Sequence, residues 1–211
     1  MSNLDLKPQS GNLPKKLVVF LHGYGSDGAD MIGLAPYFAK SLPDFHFYAP
    51  DGIEFCEMGG FGYQWYSFKS RDPQDLVKEV ARVVPPVLDI IEAKLTELKL
   101  TFEDLIIIGF SQGTMLGLYL THFVDFPIAG LVGYSGAFLP PETPKNNGTP
   151  ICLIHGRDDE VVAFSSLEQA VQRLEKLGVK TVETHEIKNL GHSIDLSGLK
   201  YAVNFINKHV K

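Results

Sequence analysis

The pentapeptide Gly109-Phe110-Ser111-Gln112-Gly113 sets one serine between two glycines, and the residue types that could activate it follow later in the chain. A serine hydroxyl is a poor nucleophile at neutral pH until a base takes its proton. Histidine has the pKa for that task, and a carboxylate can fix its tautomer and stabilise the imidazolium. The adjacent carboxylates of Asp158 and Asp159 come next, and then His192 in "NLGHSID". Serine, acid and histidine in this order are the parts of an acyl-transfer relay. With 20 glycines in 211 residues, chance supplies roughly 0.1 copies of a G-x-S-x-G pentapeptide. The motif alone is suggestive, so its context has to decide.

Periodicity does not choose between Asp158 and Asp159. Seven histidines compete for the base. His46 and His185 lie in strand patterns, and His122 and His209 in helix patterns, where a packed or solvated side chain suffices as an explanation. His22 and His155 each precede a glycine at a strand end, near a cleft but too close to their own turns to reach Ser111 easily. His192 follows Gly191, which can supply the unusual turn that carries an imidazole toward the serine. Ser135 in "GYSGAF" lacks the elbow spacing of glycines and reads as a strand end.

The elements that must position these residues alternate along the chain. "KLVVFLHG" reads as a strand, "DMIGLAPYFAKSL" as a helix and "FHFYAP" as a short strand stopped by proline. A loop rich in glycine and aromatics, "DGIEFCEMGGFGYQWYSFKS", leads to a helix with apolar residues from Leu76 to Leu98 at three- and four-residue intervals. Pro85 and Pro86 fall inside that pattern and predict a kink or a restart. Then come "LIIIGF" (strand), "QGTMLGLYLTHFV" (helix), "IAGLVGYSG" and "PICLIHG" (strands), "FSSLEQAVQRLEKLG" (helix), "KTVETHEI" (strand) and a last helix from about Leu196 to His209. Continuous apolar strands alternating with amphipathic helices predict an α/β fold, a mostly parallel sheet with helices on both faces. Ligands meet such sheets at the carboxyl ends of the strands, which is where Ser111, Asp158, Asp159 and His192 fall.

That context turns the pentapeptide into a strand-to-helix elbow. The sharp turn forces Ser111 into a strained backbone, side chains at the flanking positions would collide, and Oγ is held at the positive end of the following helix. The order Ser, Asp, His is the one expected of an α/β-hydrolase.

Size and charge bound the alternatives. With 211 residues, 45% of them hydrophobic, the chain makes one domain over 1–211, with 1–15 as a short N-terminal extension or edge strand. Nineteen basic residues against 25 acidic, scattered and not bunched, argue against nucleic acid or an anionic membrane surface as the main partner. The segment "MSNLDLKPQSGNLPKK" lacks the apolar core of a signal peptide, and no apolar run reaches the roughly 18 residues of a bilayer span, so a cytoplasmic location is expected. Cys56 and Cys152 read as two free thiols. No histidine and acid cluster has ligand spacing, so neither a metal nor an organic cofactor is implied.

Four blocks, "FLHGYGSDG", "GFSQGTM", "HGRDDEVV" and "LGHSID", resemble the signature blocks of the phospholipase/carboxylesterase family of small serine hydrolases, which includes the acyl-protein thioesterases. They stand in family order and run from about Val18 to the last helix. The resemblance implies Ser111 as nucleophile, His192 as base and Asp159 as acid. It implies backbone oxyanion donors at Tyr24 and Gln112, and it hints at a homodimer. Tyr24 stands where leucine is usual, and "GYGSDG" departs from the usual "GLGD"; backbone donation survives both changes, while the pocket shape is altered. For "MGGFGYQWYSF" two readings stand. Trp65, Met58 and Phe61, with Tyr24, hold an acyl chain beside the nucleophile, or the aromatics form a small cluster that pins the loop.

The expected activity is hydrolysis of carboxylic esters through an acyl-enzyme, with lysophospholipase or acyl-protein thioesterase activity as the alternative. No insertion resembles a large lid, which disfavours a triglyceride lipase. A dienelactone-type hydrolase normally carries cysteine at the elbow, so Ser111 counts against it. A noncatalytic binding module would have no need of all three groups.

Overall fold

The computed structural model describes residues 4–59 and 61–210. Three residues of the expected N-terminal extension, Gly60 of the aromatic loop and Lys211 lie outside that range. In chain order the elements are β1 (Asp5–Leu6), β2 (Lys16–Leu21), α1 (Gly28–Ile32), α2 (Ala35–Ala39), β3 (Phe45–Tyr48), β4 (Glu54–Phe55), β5 (Tyr63–Gln64), α3 (Pro73–Leu98), β6 (Leu105–Phe110), α4 (Gln112–Phe123), β7 (Gly130–Tyr134), β8 (Ile151–Gly156), α5 (Ser165–Lys176), β9 (Val182–Ile187) and α6 (Leu196–His209). A seven-stranded sheet runs in the order β1-β3-β2-β6-β7-β8-β9. It is parallel from β3 to β9, and only the short edge strand β1 pairs antiparallel, Asp5 opposite Tyr48.

Each central strand buries both faces. On one side Leu17, Val19, Leu105, Ile107, Leu131 and Leu153 meet the apolar faces of α3, α4 and α5. On the other, Val18, Phe20, Ile106, Ile108, Val132 and Ile154 meet α1, α2 and α6. Each fully buried aliphatic contributes about 1.5–3 kcal/mol, so β2, β6, β7 and β8 form a rigid platform. The residues at their carboxyl ends inherit that rigidity. Cys152 is buried in β8 and Cys56 half-buried in the loop, both as free thiols, and burial pushes the Cys152 thiol up to about 12.

Three local expectations change. The single helix expected over "DMIGLAPYFAKSL" is two, α1 and α2, separated at Gly33-Leu34. Pro36 lacks the N–H that a continuous helix would donate to the carbonyl of Ile32. Of the kink or restart expected at Pro85 and Pro86, the restart does not occur, because α3 is one helix of 26 residues. Both prolines are exposed while Val83, Val84 and Val87 are buried, so the prolines fall on the solvent side and the apolar face stays continuous. Asp72 caps α3 by accepting from the amides of Gln74 and Asp75, and Lys99 ends it in the left-handed conformation at φ 58°. The aromatic loop contains an unpredicted hairpin, β4 and β5, with Glu54 opposite Gln64 and Phe55 opposite Tyr63. Two residues per strand are too few for an alternating pattern to register.

Candidate active site

Ser111 follows β6 directly and opens α4, with φ 53° and ψ −112°. Few side chains tolerate such a backbone, which costs of order 1–3 kcal/mol. The neighbours leave no alternative. A Cβ at Gly113 would stand 2.0 Å from the carbonyl oxygen of Leu21, and one at Gly109 2.5 Å from the amide of Thr114. Both glycines are required by close backbone approach, so strand β6, helix α4 and strand β2 can meet only in this way.

Asp159 lies three residues beyond β8 and is buried, whereas Asp158 beside it is exposed. The Asp159 carboxylate is held at both oxygens. Oδ1 accepts from the amides of Val161 (2.9 Å) and Val162 (2.8 Å), and Oδ2 lies 2.8 Å from His192 Nδ1. Burial works against its ionisation, but the His192 hydrogen bond and the Val162 and Val161 amides outweigh it and hold the carboxyl below its ordinary range. A second imidazole also reaches it. His155 Nε2 donates to the Val162 carbonyl at 2.8 Å and lies 3.3 Å from Asp159 Oδ2. Asp159, Val162 and His155 thus close a small ring that fixes the plane of the carboxylate.

With Nδ1 donating to Asp159, Nε2 is the nitrogen of His192 left for another partner. The His192 ring packs on Phe110, the residue before Ser111, at a centroid distance of 4.8 Å. Ser111, Phe110 and His192 border one cavity of about 810 Å³. The amides of Tyr24, on the cavity wall, and of Gln112, next to Ser111, have no protein acceptor among the described hydrogen bonds. Gln112 begins α4, so its amide sits at the positive end of that helix.

The rest of the cavity wall is mainly apolar and includes Met58, Phe68, Leu76, Met115, Leu139 and Val161. Of the four residues expected to hold substrate, Tyr24 and Met58 line the cavity, whereas Trp65 and Phe61 do not. Trp65 is fully buried; its Nε1 donates to the carbonyl of His22 and its amide to Gln112 Oε1, both at 2.9 Å. It therefore pins the loop to the β2 turn. Phe61 is 99% exposed and lies outside the cavity wall.

Glu57 was missed in the sequence, where nothing marks it. Its carboxylate accepts from Ser67 Oγ, the Phe68 amide and Tyr24 OH, tying the cavity rim together. The other histidines are accounted for locally. His46 pairs with Asp5, His209 with Glu183, His122 bonds the Leu118 carbonyl, and His185 stacks on Tyr201.

Burial is the main cause that lowers the pKa of His22 and His122 from 6.5. The unfolded chain therefore binds protons that the folded one refuses as pH falls below about 6.5, so these groups make stability decline there, while above it their cost vanishes. Asp159, with its lowered pKa, adds a further loss only below its unfolded value of 3.8. Denaturant midpoints are expected to be level from pH 8 to 7 and to fall between pH 6.5 and 5.

Among the described residues no helix is long and apolar enough to cross a membrane. A family model described as phospholipase/carboxylesterase matches residues 9–210. Acyl-protein thioesterase 1 homolog 1 of Dictyostelium discoideum is 30% identical over 207 residues, covering 90% of this chain and 89% of its own length. Among solved structures, esterase PE8 superposes with a TM-score of 0.90 at 32% identity, covering 98% of this chain and 97% of its own. SOBER1 of Arabidopsis thaliana reaches a TM-score of 0.78 at 27% identity, covering 93% and 99%. With the sheet order, the elbow and a family model that spans nearly its whole length, the chain belongs to the phospholipase/carboxylesterase family of α/β-hydrolases.

Proposed function

We propose that this carboxylic ester hydrolase works through Ser111 as nucleophile, His192 as base and Asp159 as the acid that orients it. The observation that carries the reading is the 2.8 Å hydrogen bond from His192 Nδ1 to a buried Asp159, beside a serine strained into the same cavity. His192 Nε2 takes the proton of Ser111 as Oγ attacks the carbonyl carbon. The Tyr24 and Gln112 amides hold the resulting oxyanion, and His192 returns the proton to the leaving alcohol or thiol. A water molecule, deprotonated by His192, then attacks the acyl-enzyme and releases the acid.

Met58 and Tyr24 act with Phe68, Leu76, Met115 and Leu139 as the acyl-binding wall. A second reading, thioester or lysolipid hydrolysis, draws on the same apolar wall and on the acyl-protein thioesterases among the relatives. A cytoplasmic location suits the two free thiols.

Burying one further CH₂ is worth about 0.8 kcal/mol, roughly fourfold in kcat/KM. Across straight-chain p-nitrophenyl esters, kcat/KM is therefore expected to rise about fourfold per CH₂ until the cavity is filled. A matched thioester measured beside each ester decides between the two readings. A fluorophosphonate is expected to label Ser111 in the folded protein; no adduct there would favour a binding module.

A further inference from the structure

His22 is an imidazole with no exposed surface, outside the cavity wall, and it transfers no proton in the proposed reaction. A polar ring in that position needs an explanation, and its two hydrogen bonds supply one. Nδ1 lies 2.7 Å from the carbonyl oxygen of Gly23, and Nε2 lies 2.8 Å from the amide of Gly52. A carbonyl only accepts and an amide N–H only donates. The pair therefore specifies one neutral tautomer, with the proton on Nδ1 and the lone pair on Nε2.

The Gly23 carbonyl and the Tyr24 amide are the two ends of one planar peptide unit, pointing in opposite directions. Anchoring the oxygen toward the imidazole turns the N–H away from it. The unit needs such an anchor because glycine stands on both sides of Tyr24, with Gly25 at φ 80°, and glycine lets a peptide plane rotate at small cost. The Ser26 amide gives the Gly23 oxygen a second, longer bond of 3.2 Å. The ring itself is held in turn. Trp65 lies over it at a centroid distance of 5.0 Å and donates from Nε1 to the His22 carbonyl.

We propose that His22 is a positioning residue that aims the Tyr24 amide at the developing oxyanion, through the relay Gly52 N–H to His22 Nε2 and His22 Nδ1–H to Gly23 C=O. The proposal rests on the reading of Tyr24 as an oxyanion donor. Burial supports it by holding the imidazole neutral, against the opposing influence of the Gly23 bond and of Asp51, Asp27 and Asp30. A protonated ring would turn a second donor on the Gly52 amide.

Three variants separate aim from bulk. His22→Asn puts an amide nitrogen near the Nδ1 position, keeping a donor for the Gly23 carbonyl while leaving the Gly52 amide unpaired. His22→Gln reaches the Nε2 position with an acceptor for Gly52 and leaves Gly23 without its donor. His22→Leu supplies neither. The Leu and Gln variants are expected to lose about 10²-fold in kcat with KM little changed. Affinity for a trifluoromethyl ketone, whose tetrahedral adduct carries the oxyanion, should fall in parallel. The Asn variant should recover most of both, although it is as destabilised as the Gln variant.

A kcat that follows the thermal midpoint across the three variants, or a loss carried by KM, overturns the proposal. Should the variants fail to fold, nitrogen NMR of the wild-type imidazole decides: a proton on Nε2 at neutral pH overturns it, and one on Nδ1 alone sustains it. Absence of ester turnover by the wild-type protein would instead remove the esterase reading.

Discussion

Ser111→Ala is expected to lower kcat for ester hydrolysis by about 10⁴-fold or more, with a thermal midpoint within a degree or two of wild type. The loss follows from the step removed, since Ser111 is the cavity hydroxyl held by the strained turn between β6 and α4. The unchanged stability follows from what the hydroxyl touches. Its Oγ makes none of the described hydrogen bonds, so alanine forfeits no partner and keeps the backbone at φ 53°. Ser111→Gly adds an internal check on strain. Glycine takes that φ without the Cβ penalty of about 1–2 kcal/mol, so this equally inactive variant should melt above Ser111→Ala. Retained turnover in either variant would move the nucleophile elsewhere, and the reverse order of melting would deny the strain.

Asp159→Asn is expected to cost about 10⁴-fold in kcat at neutral pH, while Asp158→Asn stays within about twofold of wild type. The asymmetry comes from the Val161 and Val162 amides. They demand an oxygen acceptor, so an asparagine at 159 would keep its carbonyl on them and present its NH₂ to His192. The imidazole would then accept at Nδ1 and carry its proton on Nε2, the wrong tautomer for a base. Turning the amide over would satisfy His192 by facing two donors with a third. Asp158, by contrast, is exposed, and the bond from its backbone amide to the Leu190 carbonyl survives substitution of the side chain. Steady-state rates on one short ester for both variants check this, and equal losses would leave Asp159 without its assigned role.

The comparison of neighbouring aspartates shows where sequence reading stops. Both lie in the loop after β8, and adjacent loop residues carry no period that tells inward from outward. Family resemblance singled out Asp159; its burial and its four close partners are tertiary facts. Trp65 is the opposite case. Its place in an aromatic, glycine-rich loop beside the nucleophile suited either a binding wall or a packed cluster. Its indole N–H faces the His22 carbonyl, which seats the ring in the packed loop and off the cavity wall. His22 and His155 were legible as histidines at strand ends, but their partners, Gly52 and Gly23 for one and Val162 with Asp159 for the other, depend on how the loops fold back.

By itself the sequence determined the alternation of buried strands and amphipathic helices, the elbow at Ser111 and the order of the reactive groups. Hydrophobic periodicity and the space demanded by a Cβ are local constraints that each segment carries with it. Only the tertiary structure decided which carboxylate meets His192, which aromatics face the cavity and which tautomer His22 holds. Those outcomes depend on hydrogen-bond partners far along the chain, and no local pattern encodes the direction in which a loop side chain will find them.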